Sequence, residues 1–481
     1  MVGEAAWAAV LPGWSARTRS PSVAVGLLVL GCGIPLAVVA YAFGLRRSWV
    51  ALSLDAGFLR LVVLGAAAAI AARVIALGEV WFAHGTPRGW RNGAAVAIAL
   101  AAVAPFGYAA VAAAGARRSL DEVFTADLDA PLWNSYDDAG HPDVVVPATG
   151  PPQSTGAPTS VPTGTYAVGR PLPNKVSSPG ANPNEPLSSC PSARADPAGR
   201  ADVATILLLG GDAGPGRWSL RTDTMMLFSV HRPSGRASLI SIPRNLMRLR
   251  FPPGSALADR YPTGFTDLAN AVYPVVQSRS ELRDAYSGVP GVDPGVVALA
   301  EGIGCSLDVT IDDYVLIDMR GFVDLVDAVG GVTVDVPQAV PMPGYIPNQP
   351  DDYPTTIGPG EIHMNGSTAL GYVRSRSADS DYQRTARQRL LLAALGSQVG
   401  AGDVLGAYGR VTAALGDSLR TSLSPDELAD TLAVIGGETA IVESVGLVPP
   451  VVNVNQPNWP ELAQIVSDVQ VAIATGTPSR W

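Results

Sequence analysis

The chain has 481 residues, 47% of them hydrophobic and 16% charged, with a formal net charge of −9. That length exceeds one ordinary domain, and the apolar excess points to membrane segments. The acidic balance argues against a nucleic-acid binder, and four scattered histidines with three well-separated cysteines argue against a zinc site.

Residues 1–118 read as a helical membrane region. Val23–Gly44 is uncharged, long enough to cross about 30 Å of hydrocarbon, and long for the core of a cleaved signal peptide. Leu61–Ala83 is a second span, interrupted by Arg73 and Glu79. Charge inside a bilayer is costly, so these two are expected to snorkel or to pair. Gly93–Ala116 is a third span, closed by Arg117 and Arg118. Basic residues on the two sides nearly balance, so the positive-inside rule leaves the orientation open.

Residues 119–200 form a Pro/Gly/Ser-rich linker, without the apolar periodicity that ordering a backbone requires. Such a segment is extended and acts as a spacer.

Residues 201–475 carry the patterns of a layered α-β-α domain with a central mixed sheet. Ala204–Gly211 is a buried strand that ends in a Gly turn. "TMMLFSVHRPSGRASLISIPRNL" is strand, turn at Pro233–Gly235, then strand. "YVLIDMRGFVDLVDAVGG" is strand, helix and a Gly-Gly stop, and "VTVDVP" is a short strand. "STALGYVRSR" reads as running into a basic strand end. "SDYQRTARQRLLLAALGSQV" is a helix capped by Ser380 or Asp381. "SPDELADTLAVI" is another, capped by Ser424 with acids in its first turn. Residues 476–481 look like a frayed tail.

Several positions carry chemistry. Gly211 and Gly216 stand at P-loop spacing, but Arg217 and Trp218 follow where Lys and Ser/Thr are needed, which argues against a nucleotide site. Asp212 ends one strand and Asp223 opens the next. Together they suit Mg²⁺, which takes a few carboxylates plus substrate phosphates; separately they are a turn former and a strand-edge residue. Arg244 stands in the loop beyond Pro243. In "GYVRSRSADSDYQRTARQRL", Arg374 and Arg376 share a strand face. Arg384, Arg387 and Gln388 share a helix face, whereas Arg389 falls outside both groups. A turn at 377–380 that brings the groups together makes a clamp for a multiply charged oxyanion, aided by the helix N-terminus. The bland alternative is a solvated basic face balanced by Asp379 and Asp381. Cys190 and Cys305 form a disulfide in an oxidising compartment; otherwise Cys305 is a buried thiol.

These stretches, in this order over roughly 203–398, resemble the LytR–CpsA–Psr family of cell-envelope proteins. The resemblance rests on "LLLGGDAGPGRWSLRTDTMMLFSV", "SLISIPRNL", "LANAVY", "VLIDMRGFVDLVDAVGGVTVDVP" and "ALGYVRSRSADSDYQRTARQRLLLAAL". It implies a phosphotransferase that moves a glycopolymer from a polyprenyl-pyrophosphate carrier to peptidoglycan, on the outer side of the cytoplasmic membrane. By the same resemblance Asp212 and Asp223 hold Mg²⁺ (or Mn²⁺). Arg244, Arg374, Arg376, Arg384, Arg387 and Gln388 bind the pyrophosphate, and Arg221 beside the metal loop is a further candidate. Asp381 also matches the family pattern and joins Arg244, Arg374 and Arg376 among the candidate catalytic residues. Apolar helices near 322–329 and 390–400 are candidates to line a groove for the prenyl tail. A sensor that binds lipid-linked precursors without turnover, and a pyrophosphatase, are the competing expectations.

Overall fold

The computed structural model describes residues 20–44, 56–84, 100–115, 202–212, 220–288, 292–343, 353–376, 381–398, 418–424 and 441–481, with positions 11, 12, 117, 190 and 427 besides. The linker, apart from Cys190, and the helix read after Ser424, apart from Glu427, lie outside the described residues, as do Ser380 and the turn at 377–380. Ser424 caps as expected, and its bonds with Glu427 are reciprocal. The Glu427 carboxylate accepts from Ser424 N–H at 2.9 Å, and Glu427 N–H donates to Ser424 Oγ at 3.3 Å.

The amino-terminal region holds α1, which runs from Pro21–Leu28 through a π turn at Val29–Gly33 to Ile34–Gly44, and α2, Ala56–His84. Both are long and apolar enough to cross a membrane. The third expected span is seen as the shorter apolar helix α3, Leu100–Gly115; its first residues lie outside the described ones. Arg73 is buried. Its guanidinium donates to the Gly31 carbonyl at 2.8 Å and to Ala69 O at 3.1 Å, and it lies 4.2 Å from the centre of the Phe106 ring. A π turn loosens the helical ladder, and Gly31 sits in that turn. Arg73 is thus held inside on backbone carbonyls through Nη1 rather than snorkelling, with its Nε left without a partner; the Glu79 side chain of the alternative expectation lies outside the described ones.

The globular domain is built on a six-stranded mixed sheet. Its strands are β1 (Val203–Gly211), β2 (Thr222–His231), β3 (Ala237–Ser241), β4 (Asp313–Ile317), β9 (Leu419–Thr421) and β10 (Ile441–Gly446), in the order β10-β3-β2-β1-β4-β9. The pairs β1–β4 and β3–β10 are parallel and the rest antiparallel. Outside it, β5 (Val332–Val336) pairs with β8 (Gly360–Met364), and β6 (Val340–Pro341) with β7 (Thr356–Ile357). The Pro233–Gly235 turn joins β2 to β3 as expected, with Gly235 at φ 68°.

Strand alternation splits the sheet into two faces. Leu207, Leu209, Met225, Leu227, Ile240 and Leu316 point to one side, into the main core. There they meet α4 (Pro294–Leu307) and α8 (Trp459–Thr475), together with the short helices Val272–Gln277 and Ser280–Tyr286. The opposite face carries Leu208, Gly210, Thr224, Val315 and Ile317, and looks onto a cavity. Its roof is made of α5 (Met319–Ala328), α6 (Gly366–Arg374) and α7 (Asp381–Gln398). Helix α5 ends, as read, at two glycines: Gly330 and Gly331 have φ of 92° and 93°, and Gly331 N–H donates to Val326 O. Close packing of α6 on α5 demands glycine at 366, because a Cβ there would lie 2.1 Å from Val323 O.

Two elements differ from the sequence reading. "STALGYVR" is helix α6, capped by Asn365, whose side chain accepts from Thr368 N–H; it is no strand. The tail after α8 is docked rather than frayed. Arg236 holds the carboxyl end of α8 through Ile473 O and Ala474 O, and in the tail itself Ser479 bonds Glu443 and Trp481 Nε1 donates to Asp468 at 2.8 Å. Local composition could not reveal partners so distant in sequence.

Two long-range links fix the core side. Cys190 and Cys305 are disulfide-bonded, which ties the linker's end to α4 and resolves the alternative of a free thiol. The buried Arg420 of β9 reaches the fully buried Asp293, which caps α4 and also accepts from Tyr273 Oη and Gln277. Removing one member of a buried pair strands the other charge. Arg420→Ala is expected to cost about 3 to 5 kcal/mol, read as a lower urea midpoint for the domain.

Candidate active site

The cavity measures about 1010 Å³ and changes character along its wall. Phe322 and Leu325 of α5, Leu391, Leu392 and Leu395 of α7, and Leu419 form an apolar stretch. The helices singled out at 322–329 and 390–400 do supply it. At the edge formed by the carboxyl ends of β1 and β3 and the start of β2, the lining turns polar, with Asp212, Arg221, Asp223, Arg244, Arg374, Arg376, Arg384 and Gln388.

Each polar residue owes its place to an element end. In the β1–β2 ladder Gly210 pairs with Thr224 and Gly211 with Thr222, so Asp223 is the extra residue of a bulge in β2, and Asp212 follows the last residue of β1. Asp212 Oδ1 accepts from Arg221 N–H at 2.7 Å, which closes the turn. Asp223 stands at the start of β2. Pro243 lies just beyond the end of β3 and sends Arg244 back toward Asp223.

Arg244 is the centre of the polar end. It donates through Nη1 to both Asp223 oxygens, at 3.0 and 3.2 Å, and through Nε to Asp381 Oδ2 at 2.7 Å. Asp381, the first residue of α7, is also held by Arg384 at 3.2 Å, and Arg376 reaches Asp223 Oδ2 at 3.2 Å. Two carboxylates thus space three guanidinium groups that would otherwise repel. Burial alone pushes the Asp223 carboxyl up, but the Arg244 guanidinium, with Arg384 and Asn270 behind it, holds its pKa below the usual value. Burial, with Arg244 and Arg376 nearby, brings Arg384 down to about 10, still protonated at neutral pH.

The two arginine groups meet, but by another route than strand alternation. Arg374 ends α6, and Ser375 after it has extended backbone, with ψ 135°. A helix end followed by an extended residue brings both Arg374 and Arg376 to the cavity. Arg387 differs from its expected role. It is fully buried and does not line the cavity. Its Nε donates to Tyr372 O at 3.0 Å and its Nη2 to Ser375 O at 2.6 Å. Arg387 therefore caps the carboxyl end of α6 and holds the backbone that carries Arg374 and Arg376. Gln388 lies beside the same turn, 3.5 Å from Val373 O, and also lines the cavity. Arg389 turns away, to Ser241 and Gly446 on the sheet.

Two site residues escaped the sequence reading. Asn270, in the "LANAVY" stretch, donates to Asp223 Oδ1 at 2.7 Å. Its signal was a lone amide inside an apolar run. Asp318, between β4 and α5, is buried and lines the cavity. Its strand-to-helix position marked it only as a cap.

Among the described residues no cluster of three or more His, Cys, Asp or Glu gathers for a metal. The smaller donor set of Asp212 and Asp223, both on one cavity edge, fits a hard divalent cation that completes its shell with phosphate oxygens and water. Asp223 would share its oxygens with Arg244, Arg376 and Asn270.

One cavity thus joins an apolar wall to a guanidinium-rich edge. The chain belongs to the LytR_cpsA_psr family, whose model matches residues 177–450. A polyisoprenyl-teichoic acid–peptidoglycan teichoic acid transferase, TagU, of Oceanobacillus iheyensis is 30% identical over 49% of this chain and 64% of its own length. Biofilm regulatory protein A of Streptococcus mutans is 29% identical over 46% of this chain and 50% of its own. The chain thus spans less than two thirds of each of these relatives. Among solved structures, TagV of B. subtilis is 22% identical; the match covers 56% of this chain and 97% of that one, with a TM-score of 0.41.

Burial pushes the Asp318 carboxyl up to about 6 from an ordinary 3.8, partly opposed by the Gly321 N–H and Ser418. Between those values the folded protein keeps a proton that the unfolded chain has released. Stability therefore falls as pH rises through that window and is level above it. Asp318→Asn, which keeps a capping side chain, is expected to remove a fall of roughly 3 kcal/mol. Denaturation midpoints of both proteins against pH check this.

Proposed function

We propose that this protein is a membrane-anchored phosphotransferase that moves a glycopolymer from a polyprenyl-pyrophosphate carrier to a peptidoglycan hydroxyl, with its domain on the outer side of the cytoplasmic membrane. The observation that carries this reading is the single cavity that joins a guanidinium cluster to an apolar wall. Family membership and the teichoic acid transferase named among the relatives support it. The apolar helices α1 and α2 support the anchor, and the Cys190–Cys305 disulfide supports an oxidising compartment.

In this reading the prenyl chain lies along Phe322, Leu325, Leu391, Leu392 and Leu395, and the pyrophosphate meets the arginines. Arg376 has half its side chain exposed and is placed to receive an incoming anion. Arg244 and Arg384, held by Asp223 and Asp381, are fixed before the substrate arrives. Fixed guanidinium groups stabilise the charge that grows on the departing polyprenyl phosphate without having to reorganise. Arg387 and Gln388 keep the α6 end in place. Mg²⁺ or Mn²⁺ held by Asp212 and Asp223 would supply Lewis acidity at a phosphoryl oxygen. The acceptor hydroxyl forms the new phosphodiester.

The test is transfer by the full chain in detergent micelles, given a polyprenyl-pyrophosphate glycan and purified peptidoglycan. Label is expected in the wall fraction with Mg²⁺ and none with excess EDTA; equal transfer in both removes the cation from the reading. Replacing Arg374 and Arg376 together by Ala is expected to lower the rate by about 10²-fold or more, with the melting temperature retained. Wild-type rates in that variant would refute the clamp. Release of polyprenyl phosphate without wall labelling would mark a pyrophosphatase.

A further inference from the structure

We propose that Asp318 is the proton acceptor for the attacking hydroxyl, a role that rests on the transferase reading above. A group-transfer reaction of this kind leaves a proton to be removed, and most carboxylates near the arginines are poorly suited to take it. Asp223 is bound by Arg244, Arg376 and Asn270, and Asp381 by Arg244 and Arg384. At Asp223 these partners hold the carboxyl below its usual value and make a weak base, and at Asp381 the oxygens are already taken up by guanidinium groups. Asp212 closes the β1–β2 turn and belongs to the candidate cation set.

Asp318 differs on three counts. It lines the same cavity, although only 1% of it is exposed. Its Oδ1 is anchored, accepting from Gly321 N–H at 2.8 Å as the cap of α5, and its own N–H donates to Ser418 O. Its Oδ2 is buried and makes no hydrogen bond. One oxygen thus fixes the carboxyl while the other is left without a hydrogen-bond partner. The topology sets it at the polar edge: Ile317 pairs with Gly210 across the parallel β1–β4 ladder, so Asp318 leaves the sheet one strand over from Gly211 and Asp212. The charged group acting on it is Arg320 of its own helix; Asp212 and Arg221 line the same cavity, and Arg420 of β9 is turned to Asp293. Its raised basicity suits a group working near neutral pH.

The step balances. The hydroxyl oxygen bonds to the phosphorus that carries the glycan, and the bond from that phosphorus to the bridging oxygen breaks. The electron pair leaves with polyprenyl phosphate. The hydroxyl proton passes to Asp318 Oδ2 and is returned to water when product departs.

The experiment compares full-length wild type and Asp318→Asn in micelles, with a farnesyl-pyrophosphate-linked disaccharide and purified peptidoglycan as probes. The variant keeps a cap, and a second, Asp318→Ser, does likewise; circular dichroism melts establish that both fold. Both variants are expected to lose about 10² to 10⁴-fold in kcat, with KM for the lipid probe unchanged. The acid limb of the wild-type kcat/KM profile near pH 6 is expected to vanish. Wild-type kcat in either variant, a KM that rises in step with the loss, or an acid limb that persists would each overturn the assignment. If wild type itself transfers nothing, the transferase reading fails and the base with it. If wild type transfers and the variants match it, only the base is refuted.

Discussion

The polar half of the cavity depends on one arrangement, the sharing of Arg244 between Asp223 and Asp381. Several guanidinium groups must stand close together before any anion arrives to neutralise them. Two carboxylates solve this by lying between the positive charges. Asp223 comes from β2, Arg244 from the loop after β3, and Asp381 from the start of α7, so the same bonds dock α7 onto the sheet. Arg384 is buried as part of that network and stays charged because Asp381 lies against it. The acidic net charge of the chain and its strongly basic site are compatible because the positive charge is concentrated at one edge and partly neutralised there.

A second layer of residues makes the first effective. Arg387 contributes no surface to the cavity, yet it holds the carbonyls of Tyr372 and Ser375 and so sets the exit of α6. Gly366 lets α6 approach α5 closely enough to form the roof. On the far face, Asp293 caps α4 and pairs with Arg420, and this ties the edge strand β9 to the core. The sheet thus has a packed face that supplies stability and an open face that supplies the site. The open face bears small or thin side chains such as Gly210 and Thr224 at the polar edge and aliphatic ones further along.

The division of labour among carboxylates follows from their partners. Asp223 is held ionised by the guanidinium groups it faces, and with Asp381 it serves as a structural counter-charge. Asp318 is buried at a helix N-terminus without a guanidinium partner of that kind, and burial makes it harder to ionise. The same residue type therefore fills opposite roles within one pocket, decided by what lies within hydrogen-bonding distance.

Much was legible in the sequence because it is local. Apolar runs gave α1 and α2, apolar stretches bounded by turn residues gave β1 to β3, and Gly-Gly ended α5. The run of arginines could be recognised as two groups because helical spacing places Arg384 and Gln388 together. Membership of the family was likewise written in motif order. Only the tertiary structure decided the rest. It made "STALGYVR" a helix where the pattern suggested a strand, because its apolar residues pack against α5 and β5. It turned Arg387 from a candidate ligand into a brace, docked the C-terminal tail, and joined Cys190 to Cys305 across a long stretch of chain. It also brought Asn270 to Asp223 and set Asp318 in the cavity wall. Periodicity reports which residues share a face of one element. Which elements meet at that face is settled by packing and by long-range hydrogen bonds, and those have no local signature.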